Sequence, residues 1–138
     1  MEEINYSIAE FIARVSLGLL FLFQGYDKVF KIKLKNVIQG FNMELENSRL
    51  PEPLISISAY YSSYVELVGG LLLILGFMKY YVLYALGLDL LLVAVAMGII
   101  NPLWKMDLVF PRLALLLLLL LLPQEWDLIS LDHFISQF

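Results

Sequence analysis

The chain has 138 residues, of which 61% are apolar and only 16% charged, with a formal net charge of −4 and no cysteine. That balance, with a mean hydropathy of +0.82, excludes an ordinary soluble domain and defines an integral membrane protein. The missing cysteines exclude a dithiol relay, a thiolate metal site and a structural disulfide, and the negative charge gives no basis for nucleic-acid binding.

Each helical span needs about 20 residues, so four spans fill this length and leave room only for short connections and one longer loop. The expected fold is all-α, a single membrane domain built as a four-helix bundle. The chain begins Met1, Glu2, Glu3, without a basic region or a small-residue cleavage pattern. The first apolar stretch is therefore expected to remain as a span.

Span one is expected over about 7–30. At 100° per residue, Ser7, Glu10, Arg14, Gly18, Phe21, Gly25 and Lys28 fall on one stripe. A polar and small-residue stripe belongs against other helices, because glycines permit close backbone approach and charges need partners. Glu10 and Arg14, four apart, can also pair along their own helix. The following mixed-charge stretch carries Leu34, Val37, Ile38, Phe41 and Leu45 at helical spacing. It reads as an amphipathic segment lying in the interface or folded over the bundle mouth, ended by Pro51 and Pro53.

Span two, about 56–77, holds Tyr60, Tyr61 and Tyr64 near its start, Glu66 in the middle, then Gly69, Gly70 and Gly76. Glu66 shares a face with Ser62, Ser63, Gly69, Gly70 and Leu73. Met78, Lys79 and Tyr80 are expected to form a tight turn. Span three, about 80–100, carries Asp89 near its midpoint and stops at Asn101 and Pro102. Span four, about 108–126, contains eight consecutive leucines, Leu115 to Leu122, with Asp107 as its expected cap and the leucines facing lipid. Basic residues cluster in or beside the first and third loops (Lys28, Lys31, Lys33, Lys35, Arg49, Lys105, Arg112), against Lys79 alone in the second. The positive-inside rule then places both termini outside the cytoplasm.

Arg14, Glu66 and Asp89 sit within apolar stretches, where a charge costs roughly 2.5 to 3.5 kcal/mol at a helix centre. The expectation is one shared polar core in which Arg14 bridges Glu66 and Asp89, with the excess negative charge relieved by a proton. Such a core reads as a lock holding three helices in register or, compatibly with that, as a pocket for a quinone, a lipid-like ligand or a proton path, with Gln24 and Lys28 as the further candidates. Lys28 taken alone reads as a snorkelling residue at a span end. His133, the sole histidine, cannot supply paired haem ligands and is expected at the surface; no metal site is expected. Gly18, Gly25, Gly69, Gly70 and Gly76 match no phosphate-binding pattern and read as helix-packing positions.

In order along the chain, Arg14, Gly18, Gly25 and Lys28, then Pro51, then Glu66, Gly69, Gly70 and Gly76, and finally Ser130, Leu131 and Asp132 resemble the pattern of the DoxX family of small four-helix membrane proteins. Two departures stand out. Pro123 to Ile129 replace a glycine-rich approach to the final serine-leucine-aspartate, and Pro111 and Arg112 replace an acidic opening to the last span. The resemblance implies a subunit of a quinone-linked oxidoreductase complex, with a bound quinone as the implied cofactor, in a bacterial inner membrane. Relatives linked to membrane-protein assembly imply the alternative, a binding or assembly protein without chemistry whose 28–53 loop is the partner surface. The partners expected on either reading are membrane lipid and protein subunits of a complex.

Overall fold

The computed structural model describes residues 2–44, 51–100 and 107–137, which carry helices and no strand. Helix α1 (Glu2–Tyr26) runs without a break into a π-helical turn-and-a-half, Asp27–Lys33, and then into α2 (Leu34–Glu44). Lys33, at the junction with α2, has a φ of 69°, outside the range of a regular right-handed helix. Helix α3 (Glu52–Leu75) follows, then α4 (Lys79–Ile100), α5 (Phe110–Leu121), a 3₁₀ turn (Gln124–Trp126) and the short α6 (Leu131–Ser136). Among the described residues three helical runs are long and apolar enough to cross a membrane: Glu3–Glu44, Glu52–Leu75 and Lys79–Ile99. α5 is apolar but shorter, rising only about 18 Å at 1.5 Å per residue.

The bundle is organised around the antiparallel pair α1 and α3, whose backbones touch. A Cβ on Gly70 would stand 2.8 Å from both the Gly18 carbonyl oxygen and Leu22 Cα, and one on Gly25 would stand 2.6 Å from Leu67 Cα. The glycine stripe of the sequence is thus the condition for this approach. Gly69 instead faces Leu86 and Val82 of α4. Gly76 serves differently, ending α3 in the left-handed conformation at φ 68°, with Phe77 N–H donating to Leu72 O at 3.0 Å and Gly76 N–H to Leu73 O at 3.1 Å.

Several boundaries differ from those read in the sequence. α3 starts four residues earlier than expected, because Pro51 caps it and Pro53 sits in its first turn, where a missing N–H costs nothing. The tight turn is Gly76 to Met78, and Lys79 already belongs to α4. Asp107 makes no cap; Val109 precedes α5, with no side-chain hydrogen bond at its start. The leucine run does not simply face lipid. Leu116 and Leu119 are buried in the core with Leu83, Leu86 and Leu90, while Leu117, Leu118 and Leu121 are exposed. α2 has the amphipathic character expected, with Val37 buried and Lys35, Asn36, Gln39 and Gly40 outward. Leu45, Arg49, Asn101, Pro102 and Lys105 lie outside the described residues.

The end of the chain returns to its beginning. Trp126 stacks on Tyr6 with ring centroids 4.3 Å apart. Ser130 caps α6 by accepting from His133 N–H at 3.1 Å, and Asp132 accepts from the N–H groups of Met78 and Lys79 at 3.0 and 3.1 Å. A carboxylate from α6 therefore satisfies the orphan donors at the start of α4. This end, with the N-terminus, the α3–α4 turn and α6, is called the terminal end below; the end bearing Lys31 to Lys35 is the loop end.

Candidate functional site: two charge clusters and an apolar groove

The structure divides the expected polar core in two. At the terminal end, the side chains of Glu10, Arg14 and Lys79 and almost all of Asp127 are withdrawn from solvent. Arg14 Nε lies 3.2 Å from Glu10 Oε1 and 3.8 Å from Asp127 Oδ1. Lys79 Nζ stands 3.2 Å from Glu10 and 2.8 Å from Asp127. Two bases face two acids, so the cluster is neutral, as burial demands. Arg14 also donates through Nη1 to the carbonyls of Leu73 and Ile74, both at 2.8 Å, and through Nη2 to Ile129 O. Its guanidinium is thus a cap for the carbonyl end of α3, where positive charge is favoured.

Towards the loop end, Lys28 Nζ reaches Glu66 Oε2 at 2.7 Å and donates to Ser62 Oγ at 3.1 Å. Ser62 in turn donates to Glu66 Oε1 at 3.4 Å. Asp89, wholly buried on α4, faces Ser62 and Glu66 and feels the charges of Lys28 and Arg112. Among the described residues neither Asp89 carboxyl oxygen has a hydrogen-bond partner, and the same holds for Gln24 Oε1. Tyr61 is occupied elsewhere, donating to Ala85 O at 3.1 Å.

Arg14 therefore does not bridge Glu66 and Asp89. In the antiparallel α1–α3 pair the residue opposite Glu66 is Gly25, about 16 Å along α1 from Arg14 at 1.5 Å per residue. Reading the first span symmetrically about its apolar heart places Arg14 too near the middle; α1 begins at Glu2 and its helical course continues to Lys33. Nor does Lys28 snorkel to the interface: it turns inward, and only 14% of its side chain is exposed. Sequence reasoning missed Lys79 and Asp127. Both stand at the ends of apolar stretches and read there as loop charges, and only a count of charges at the Arg14 level could have suggested a second acid and base. His133 lies on α6 with Nε2 2.9 Å from the Gln137 amide nitrogen. No group of three metal-ligating side chains exists among the described residues.

Beside the second cluster lies a groove of about 300 Å³, formed between α2, α3, α4 and the start of α5. Phe41, Ile55, Ala59, Val93, Ala96 and Met97 make its walls apolar, and Gln24, Ser58, Ser62 and Arg112 are its polar groups. Ser62 is shared by groove and cluster. Arg112 packs its guanidinium 5.9 Å from the Phe21 ring centroid, and among the described residues it has no carboxylate within ion-pair distance. A pocket of this size, mostly apolar with a few convergent polar groups, has the ordinary anatomy of a small-molecule site.

Fold and clusters together define an integral membrane protein of apolar helices that turn the charges Glu10, Arg14, Glu66 and Asp89 inward. The family model of DoxX matches residues 9–100, and the chain belongs to the DoxX family. No curated protein and no solved structure matches it.

Proposed function

We propose that this protein is the small membrane subunit of a quinone-linked oxidoreductase complex, with the groove between α2, α3, α4 and α5 holding the quinone ring and the start of its tail. The observation that carries this reading is the coincidence of an apolar groove of about 300 Å³ with Gln24, Ser62 and Arg112. The amide, hydroxyl and guanidinium supply hydrogen bonds to ring oxygens, and the walls match a hydrocarbon tail. Arg14 is not part of this site; its cluster ties the terminal end together. Electrons reach or leave the quinone through a cofactor of a partner subunit, since the chain has no thiol of its own.

The same proposal includes four membrane crossings, with α5 as the fourth. The Tyr6–Trp126 stack supports it, because a chain that ends where it began crosses an even number of times. Leu108, Val109 and the residues up to Trp126 extend the short helix towards the two faces. The loop end, with Lys31, Lys33 and Lys35 exposed, faces the cytoplasm of a bacterial inner membrane and the termini lie outside. Lys79 adds no free positive charge at the terminal end, because it is neutralised in the first cluster.

The test is purification in mild detergent, organic extraction and mass spectrometry. A stoichiometric quinone is expected, and it should be lost in Ala96→Phe, which fills the groove. Purified protein devoid of quinone, with a client protein bound in its place, refutes the subunit reading in favour of an assembly role.

A further inference from the structure

We propose that Glu66 and Asp89 form the proton acceptor for a ring hydroxyl bound in the groove, with Ser62 as the relay and Arg112 as the counter-charge for the anion that results. The inference rests on the groove being a quinone-class site and assigns it a chemistry: it ionises the reduced, hydroquinone form.

The second cluster lacks the contact-distance pairing of every acid with a base. A lock needs one acid per base, and the terminal-end cluster has that composition. Here the ammonium of Lys28 is paired with Glu66, and a second acid, Asp89, is buried facing Ser62 and Glu66, with no hydrogen-bond partner in range of either oxygen among the described residues. A buried carboxyl without a hydrogen bond is costly, and a purely structural position gains nothing from it. The groove also holds a base, Arg112, set in apolar surroundings and without a carboxylate at ion-pair distance among the described residues. That acid and that base beside one groove are the two halves of a site that takes a proton from a ligand and keeps the anion.

Ser62 connects them. Ser62 lines the groove, and its hydroxyl accepts from Lys28 at 3.1 Å and donates to Glu66 Oε1 at 3.4 Å. In the step assigned here the ligand O–H bond breaks as its proton passes to Ser62 Oγ, while the Ser62 proton passes to Glu66. Hydroquinone and carboxylate become hydroquinone monoanion and carboxylic acid, with no change of oxidation state. Asp89, facing Glu66, shares the proton. The groups facing the acid pair are Lys28 from the π-helical segment, Ser62 and Tyr61 from α3, and Arg112 from α5. Tyr61 is not the relay, because its hydroxyl is committed to Ala85 O. Lys28, 14% of whose side chain is exposed, is the exit towards the loop end.

The experiment uses the full chain in detergent micelles with 4-decyl-2-nitrophenol, a ring hydroxyl on an apolar tail whose phenolate absorbs in the visible. Binding is counted by co-elution and ionisation by absorbance against pH. The bound probe is expected to ionise about tenfold more readily than in empty micelles, one unit of its titration. The Glu66→Gln, Asp89→Asn double variant should abolish the gain, Ser62→Ala should remove it with the probe still bound, and Ser62→Thr should keep it. The two Ser62 variants preserve every charge, so they carry the test whether or not the double variant folds. Co-elution with unchanged ionisation, or a gain that survives Ser62→Ala, overturns the inference and leaves the quinone site standing. A probe that does not co-elute overturns both.

Discussion

The backbone contact of α1 and α3 at Gly70 yields the sharpest stability prediction. In Gly70→Ala the added Cβ falls 2.8 Å from the Gly18 carbonyl oxygen and from Leu22 Cα, where ordinary contact begins at 3.4 Å. The deficit is about 0.6 Å against backbone atoms, which no rotamer change relieves, so α1 and α3 must separate along their length. Overpacking of this kind costs about 1–3 kcal/mol, offset by up to about 1 kcal/mol from the better helix propensity of alanine. Separation also pulls Lys28 from Glu66 and Arg14 from the end of α3, so the upper part of that range is expected. Gly40→Ala is the control: among the described residues nothing lies within 4 Å of its added Cβ, and the exchange should stabilise α2 by about 0.5–1 kcal/mol. Reversible denaturation in mixed micelles, followed by helical circular dichroism, measures both. Gly70→Ala as stable as the parent protein would refute the claim that backbone contact organises the bundle.

Arg14→Ala leaves the α3 carbonyls of Leu73 and Ile74 without their donor and the acids Glu10 and Asp127 sharing one base; a loss of about 3–5 kcal/mol is expected in the same denaturation assay, as for other buried pairs broken on one side. Arg14→Lys should recover little of it, since one ammonium cannot reach Glu10, two α3 carbonyls and Ile129 O together. Asp132→Ala removes the acceptor for Met78 and Lys79 N–H and should cost about 0.5–2 kcal/mol, with faster amide exchange confined to the start of α4 and to α6. Exchanging the charges as Lys28→Glu with Glu66→Lys should restore part of the stability that either change removes alone, measured as a double-mutant cycle.

How far the sequence foretold this arrangement depends on what kind of information each feature needs. The stripe of α1 and the small, polar face of α3 are properties of helical period, and their residues are indeed the buried ones: Ser7, Glu10, Arg14, Gly18, Phe21 and Gly25 on α1, and Ser62, Ser63, Glu66, Gly69, Gly70 and Leu73 on α3. Register between helices is a different matter. It depends on where each helix starts, and a shift of eleven residues, from Gly25 to Arg14, separates the level of Glu66 from that of the α3 terminus. Lys28 and Lys79 show the same limit: a lysine at the edge of an apolar stretch can turn outward or inward, and only a buried acid within reach decides. Ser130 and Asp132 stand out as a pattern in the sequence. Their use, capping α6 and, 53 residues back from Asp132, the start of α4, exists only once the chain end folds back onto the α3–α4 turn.

Every functional claim made for this protein depends on the groove being the place where a quinone sits. An azidoquinone with a short tail, photolysed with the protein in native membranes and mapped by peptide mass spectrometry, tests that directly. Label is expected on groove walls such as Phe41, Ala96 and Met97, suppressed by excess unmodified quinone. Label confined to outward residues such as Tyr81, Leu88 and Leu121, and indifferent to competitor, would contradict it.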